Sequence, residues 1–185
     1  GGRINGGIGV DGRAVMERLH RERDRFIASI ERSISAFPDE DKVCGQACFE
    51  AANTLMVAGY GRVHFERAVI ATGSRPNVPE SLQEAGKCLV TSDTLFDWQA
   101  LPESVAVFGP GALGLALGQA LSRLGVRVRM FGRSGSVGGL SDEQVRERAV
   151  ELFNHEFYLD PSAEVSDIAL EEGKVKITFK ERVSD

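Results

Sequence analysis

Apolar residues at Val15, Leu19, Phe26, Ile30 and Ile34 recur at helical spacing, which predicts an amphipathic helix capped by Asp11, running to about Ala36 and closed ahead of Pro38. From 42 to 70 the period shortens. KVCGQACFE, NTLMVAG and RVHFERAVI are short alternating or apolar segments broken at Asn53, Gly59 and Gly61, the pattern of a small antiparallel meander. Its end, Val69-Ile70-Ala71, reads as an apolar strand running into the small-residue turn Thr72-Gly73-Ser74, after which Pro76 and Pro79 keep the chain extended. A polar linker over 76–87 follows. Beyond it the pattern predicts a short strand at Cys88-Leu89-Val90, then a helical turn capped by Ser92 or Asp93 that carries Leu95, Phe96 and Trp98, with Trp98 as a core anchor.

The densest signal lies over 103–134. Val105-Ala106-Val107-Phe108 is a short apolar run suited to a strand buried on both faces, and Gly109-Pro110-Gly111-Ala112-Leu113-Gly114 follows it directly as G-x-G-x-x-G. A helix comes next, with Leu113, Leu117, Ala120 and Leu124 as its expected buried stripe and Gly125 as its stop. Val126–Phe131 is a second strand, and Gly135, Gly138 and Gly139 make the segment after it a flexible loop. A capping box at Ser141 opens a helix to about Asn154. FYLD, AEVSDIAL and KVKITFK then alternate around Glu171-Glu172-Gly173 as a second antiparallel meander.

Strand, glycine turn, helix and strand in that order are the setting a dinucleotide site needs. Gly109 permits the tight turn out of the strand, Gly111 lets backbone N–H groups approach a pyrophosphate, and Gly114 allows close helix–strand packing. The anion would rest on the helix N-terminus, with Pro110, Ala112 and Leu113 completing the turn. An NAD site wants Asp or Glu at the end of the second strand, about 20 residues past the first glycine. Gly132-Arg133-Ser134 stands there instead. A guanidinium pairs bidentately with phosphate oxygens, so Arg133 favours NADP(H) through a 2′-phosphate. The alternative is a solvent-facing arginine, with NADH bound through the pyrophosphate site alone.

Composition narrows the rest. The chain has 185 residues, is 42% hydrophobic and 26% charged, and carries a net charge of −5, the profile of a globular protein without a basic field for nucleic acid. Arginines at 13, 18, 21, 23 and 25 are interleaved with Glu17, Glu22, Asp24 and Glu31, which reads as a solvated helix face. No apolar run reaches the roughly eighteen residues of a membrane helix, and no signal peptide opens the chain, so a cytoplasmic location is expected. Three cysteines, Cys44, Cys48 and Cys88, suit a reducing compartment. With Cys44 and Cys48 both in one strand, their four-residue separation spans about 13 Å, too far for a disulfide, so they are expected to be small packing residues. His20, His64 and His155 are isolated, and no metal set emerges.

Taken together, VIATGSRP at 69–76, the ERLHRERDRF helix with the meander at 42–70, and SDTLFDWQALPESVAVFGPGALGLALGQALSRLG at 92–125 resemble the FAD-dependent pyridine nucleotide–disulfide oxidoreductases, in particular the dihydrolipoamide dehydrogenase branch. The resemblance implies an α/β, Rossmann-like FAD/NAD(P)-binding fold: a parallel sheet with crossover helices and an antiparallel meander, preceded by a partial FAD domain. It implies residues 1–75 as part of that FAD domain, 76–87 as a linker and 88–185 as the NAD(P) domain, its last strand missing. Thr72, Gly73 and Ser74 would lie against the flavin. The family passes a hydride between nicotinamide and flavin and then electrons to a C-x-x-x-x-C disulfide. Neither that disulfide nor the first FAD glycine motif, the dimerisation domain with its His–Glu pair or the later Gly-Asp segment is among these residues, and Ala116 replaces the Glu that most members pair with a lysine beside the flavin. The chain, opening Gly1-Gly2-Arg3 without Met, therefore reads as an internal piece of a flavoenzyme that dimerises elsewhere. Alone it is expected to bind NAD(P)H weakly or not at all, hold no FAD tightly and show no turnover. Two alternatives stand beside this: a flavin reductase of the same fold without a redox disulfide, and a non-catalytic NAD(P)-sensing module.

Overall fold

A computed structural model describes residues 9–180. The chain divides into two compact units, one formed by the residues up to Leu19 with those from Pro76 onward, the other by His20–Arg75. The mixed α/β architecture with one parallel sheet is the one expected. No helix among the described residues is long and apolar enough to cross a membrane.

Helix α1 (Gly12–Ser35) begins where the cap predicts, with Asp11 Oδ1 accepting from the N–H groups of Arg13 and Ala14 at 3.0 and 3.1 Å. Met16 is buried, whereas the later part of the stripe, Phe26, Ile30 and Ile34, is exposed. In the second unit β1 (Ala47–Ala51), β2 (Thr54–Val57) and β3 (Gly61–His64) form the expected antiparallel meander. Thr54 Oγ1 and His64 Nδ1 lie 3.0 Å apart across β2 and β3. Cys44 falls ahead of β1, so the two cysteines do not share a strand, and both are exposed. The packing role expected of them is therefore not theirs. Residues 65–79 form no strand, and Val69 is 92% exposed. A lone apolar segment needs a neighbouring strand to complete its ladder, and among the described residues none pairs with it.

The first unit is built on the parallel sheet β4-β5-β6, comprising β4 (Ser104–Phe108), β5 (Arg127–Phe131) and β6 (Tyr158–Asp160). β4 and β5 are joined by α2 (Ala112–Arg123), and β5 and β6 by α3 (Glu143–Asn154). FYLD thus joins the parallel sheet and not the meander. The α3 crossover returns the chain in the same direction as β5, which a hairpin cannot do. The cap of α3 is Asp142, one residue past Ser141, and its side chain accepts from Val145 N–H at 2.9 Å. The remaining hairpin pairs β7 (Glu164–Glu171) with β8 (Lys174–Lys180) around Glu172 and Gly173, both at positive φ, as a two-residue primed turn requires.

One connection is more ordered than a polar linker. Residues Glu80–Cys88 form successive 3-10 turns, with Gly86 at φ 53° breaking the run, so no strand forms at Cys88–Val90. This segment lies on the β7–β8 hairpin, where Cys88 Sγ approaches Gly173 O at 3.6 Å. The core lies between α2 and one face of the sheet: Leu115, Leu121, Val126, Val128, Met130, Val137, Phe157 and Leu159, with Trp98 and Leu101 against it. On the opposite face Phe131 stacks between Phe108 and Phe179, at centroid distances of 5.4 and 5.0 Å.

Candidate functional site

The glycine turn leaves β4 at its carboxyl end, where open parallel sheets present ligands. Gly109 has φ 107°, a conformation an L side chain rarely adopts, and its N–H donates to Phe131 O at 2.9 Å. Gly111 is the N-cap of α2, and its carbonyl accepts from Leu115 N–H at 2.9 Å. A Cβ at Gly109 or Gly111 would project into open space. A Cβ at Gly114 would stand 2.1 Å from Gly109 O. The turn is thus tight on its inner side and bare at Gly109 and Gly111 on its outer side, an arrangement that leaves main-chain N–H groups open to an anion.

The glycines also set the rotation of α2. Gly118 faces Met130, Val128 and Phe157, so the buried stripe is Leu115, Gly118 and Leu121. Leu113 is 59% exposed and Ala120 is exposed, unlike the stripe read from the sequence. In a helix apolar almost all round, periodicity does not select a face, and close backbone approach at Gly114 and Gly118 does.

At the end of β5, Gly132 is sandwiched in main chain. Its N–H donates to Asp160 O at 2.7 Å, and its carbonyl accepts from Ala163 N–H at 2.9 Å. A Cβ there would lie 2.4 Å from Pro161 O and 2.8 Å from Pro161 C. The acid expected of an NAD site has no room at this position. Arg133 and Ser134 follow on the exposed side, and among the described residues the Arg133 guanidinium has no ion pair.

Sequence reasoning missed what happens next. The segment with Gly135, Gly138 and Gly139 is not a loose loop: Gly135 N–H donates to Pro161 O at 2.8 Å, Val137 is fully buried in the core, and Gly138 N–H donates to Pro110 O at 2.7 Å. The lone valine among glycines was the available signal. Asp160 was missed as well. It is buried at the end of β6, with Oδ1 accepting from Ser162 N–H at 2.9 Å and Oδ2 without a partner among the described residues.

The turn Gly109–Gly114 and the segment Gly132–Ser134 are therefore brought together at one edge of the sheet. Thr72, Gly73 and Ser74 lie in the other unit, exposed in an irregular segment with Gly73 at φ 71° and nothing near its added Cβ.

Residues 15–183 match the family model for the pyridine nucleotide-disulphide oxidoreductases. A mercuric reductase of Lysinibacillus sphaericus is 31% identical over 140 residues, covering 74% of this chain and 26% of that protein. A dihydrolipoyl dehydrogenase of Bacillus subtilis is 36% identical over 136 residues, covering 68% of this chain and 29% of the relative. The chain thus spans under a third of the length of these relatives. Among solved structures, the HOCl-induced flavoprotein disulfide reductase RclA of Escherichia coli superposes over 94% of this chain and 40% of its own, with a TM-score of 0.75 at 20% identity, a likeness of fold. With the family pattern matched from α1 through β8, this chain belongs to the pyridine nucleotide–disulfide oxidoreductases, flavoproteins that use FAD and NAD(P).

Proposed function

We propose that residues 88–185 are the nicotinamide-dinucleotide-binding part of a flavoprotein disulfide oxidoreductase, that residues 1–75 are part of its FAD domain, and that 76–87 connect the two. The observation that carries this reading is the glycine turn: its outer face is bare main chain at the N-terminus of a 12-residue helix, at the carboxyl edge of a parallel sheet. Gly109, Pro110, Gly111, Ala112, Leu113 and Gly114 hold the pyrophosphate. When bound, the nicotinamide cofactor supplies or takes a hydride in exchange with FAD. This chain's own residues bind and orient it, and Thr72, Gly73 and Ser74 lie against the flavin in the complete enzyme, a homodimer through a region beyond these residues.

NADP(H) is the favoured cofactor. Gly132 leaves no space for a carboxylate that would repel a 2′-phosphate, and Arg133 with Ser134 follows on the exposed side. The test is a titration of the 185-residue chain with NADPH and NADH up to millimolar concentration, followed by amide chemical shifts. NADPH binding, weak in the isolated chain, should be the tighter, and Arg133→Ala should erode the difference by about tenfold, the worth of a lost charge-assisted hydrogen bond. Equal affinities before and after the substitution would sink the NADP(H) assignment. Shifts that avoid Gly109–Gly114 would sink the site itself.

A further inference from the structure

We infer that the segment after β5 is a clasp that orients the anion-binding peptide of the glycine turn, with Val137 as its positioning residue. The inference rests on the dinucleotide reading of that turn and adds what keeps it competent. Gly138 N–H donates to Pro110 O at 2.7 Å. The peptide between Pro110 and Gly111 is planar, and in a trans peptide C=O and N–H point in opposite directions. Holding the carbonyl on the clasp side therefore turns the Gly111 N–H away from it, and no backbone partner among the described residues takes that N–H. Gly111 is the position whose N–H must approach a pyrophosphate. A flip of the same peptide, which the glycine permits, would present the carbonyl and repel the anion.

The clasp is held from three sides. Val137 is 0% exposed and packs in the cluster containing Leu115, Met130 and Leu159. Gly138 lies at φ 59°, which lets the chain turn away after its N–H is placed, and its Cβ direction is closed by Leu115 Cδ1 at 3.3 Å. Gly135 N–H is fixed to Pro161 O at 2.8 Å, and Leu140 N–H to Val137 O at 2.9 Å. Truncating Val137 removes the apolar anchor while leaving every group that would touch the ligand in place.

The experiment measures binding of NADH, NADPH and inorganic pyrophosphate to the 185-residue chain, as wild type, Val137→Ala and Val137→Ile, well below the melting temperature of each. Val137→Ala should weaken all three ligands by one common factor of about tenfold, and Val137→Ile should restore them. A purely structural role would lower the melting temperature and leave the folded chain's affinities unchanged, which would overturn the inference. Amide exchange of the unliganded wild type needs no variant. The Gly138 amide should exchange far more slowly than that of Gly139, and equal rates would overturn the clasp even if Val137→Ala did not fold. The failure of the underlying reading looks different: a protected Gly138 amide in a wild-type chain that binds none of the three ligands.

Discussion

From Pro76 onward the chain closes a core around Met130 and Val137, both 0% exposed, whereas the unit His20–Arg75 buries only Thr54 and Val57 and leaves Phe26, Ile27, Ile30, Ile34, Phe37, Phe49 and Ile70 exposed. Both units contain a three-stranded sheet and helix, so secondary structure does not separate them. The difference is what the apolar faces meet. α2 and α3 carry their stripes onto a parallel sheet that has crossover connections to deliver them, while the β1–β3 meander has no such helix return. Within the first unit the difference sharpens again, because its glycines fail in different ways when given a Cβ.

The largest effect should come from Gly114→Ala. Its Cβ meets Gly109 O at 2.1 Å, an atom that cannot move without unmaking the turn, and overpacking against backbone is expected to cost about 3 kcal/mol together with dinucleotide binding. A melt and a nucleotide titration check it; a stable protein with intact binding would remove the close-packed turn from the comparison. Gly132→Asp should follow, at about 2 kcal/mol, since Pro161 backbone occupies the space, and it should not create NADH preference. Gly118→Ala should be milder, about 1 kcal/mol or less by denaturant unfolding, because its nearest contact at 2.6 Å is Met130 Cε, the far end of an unbranched side chain that can change rotamer. A cost equal to that of Gly114→Ala would mean that the sheet, and not the turn, sets the tolerance.

Comparing the units, trypsin should cut first after Arg67 in the exposed segment without regular structure, and the β4–α2–β5 amides should outlast those of β1–β3 in hydrogen exchange. Equal protection would show that the exposed apolar face is no weakness.

The smallest effect concerns the far end of α2, where Arg123 grips Glu156 with two contacts of 2.8 Å and Gln119 adds a third. The Arg123 hydrogen bond, aided by Gln119, holds the Glu156 carboxyl below its ordinary value of 4.5. A depressed folded-state value gives a contribution present above the unfolded-state value and lost as pH falls through the folded one. The gap in melting temperature between wild type and Glu156→Gln should therefore be small at neutral pH, shrink in high salt and vanish below the carboxylate range.

Much of the first unit was legible along the chain because its signals are local. G-x-G-x-x-G after an apolar run, Gly125 after α2 and Gly173 between β7 and β8 each state a backbone conformation that few other residues supply. The cap of α1 and the existence of α1, α2 and α3 followed for the same reason. The candidate turn Gly109–Gly114 came from this local grammar, and so did the position of Arg133.

What the sequence by itself determined, then, is where α1, α2, α3 and the paired strands run and where the turns between them fall, since φ/ψ preference and period act within a few residues; the apolar stretches 69–71 and 88–90, read as strands, form none because no neighbour among the described residues completes their ladder. Tertiary structure alone decided which face of α2 is buried, because a helix apolar almost all round is oriented by the backbone it can approach and not by its period. It decided that Tyr158–Asp160 joins β5, because a parallel ladder depends on a crossover and not on alternation. It also decided that the glycine-rich segment after β5 is fastened to Pro110, because a hydrogen bond between residues 28 positions apart, Pro110 and Gly138, leaves no periodic trace in either stretch.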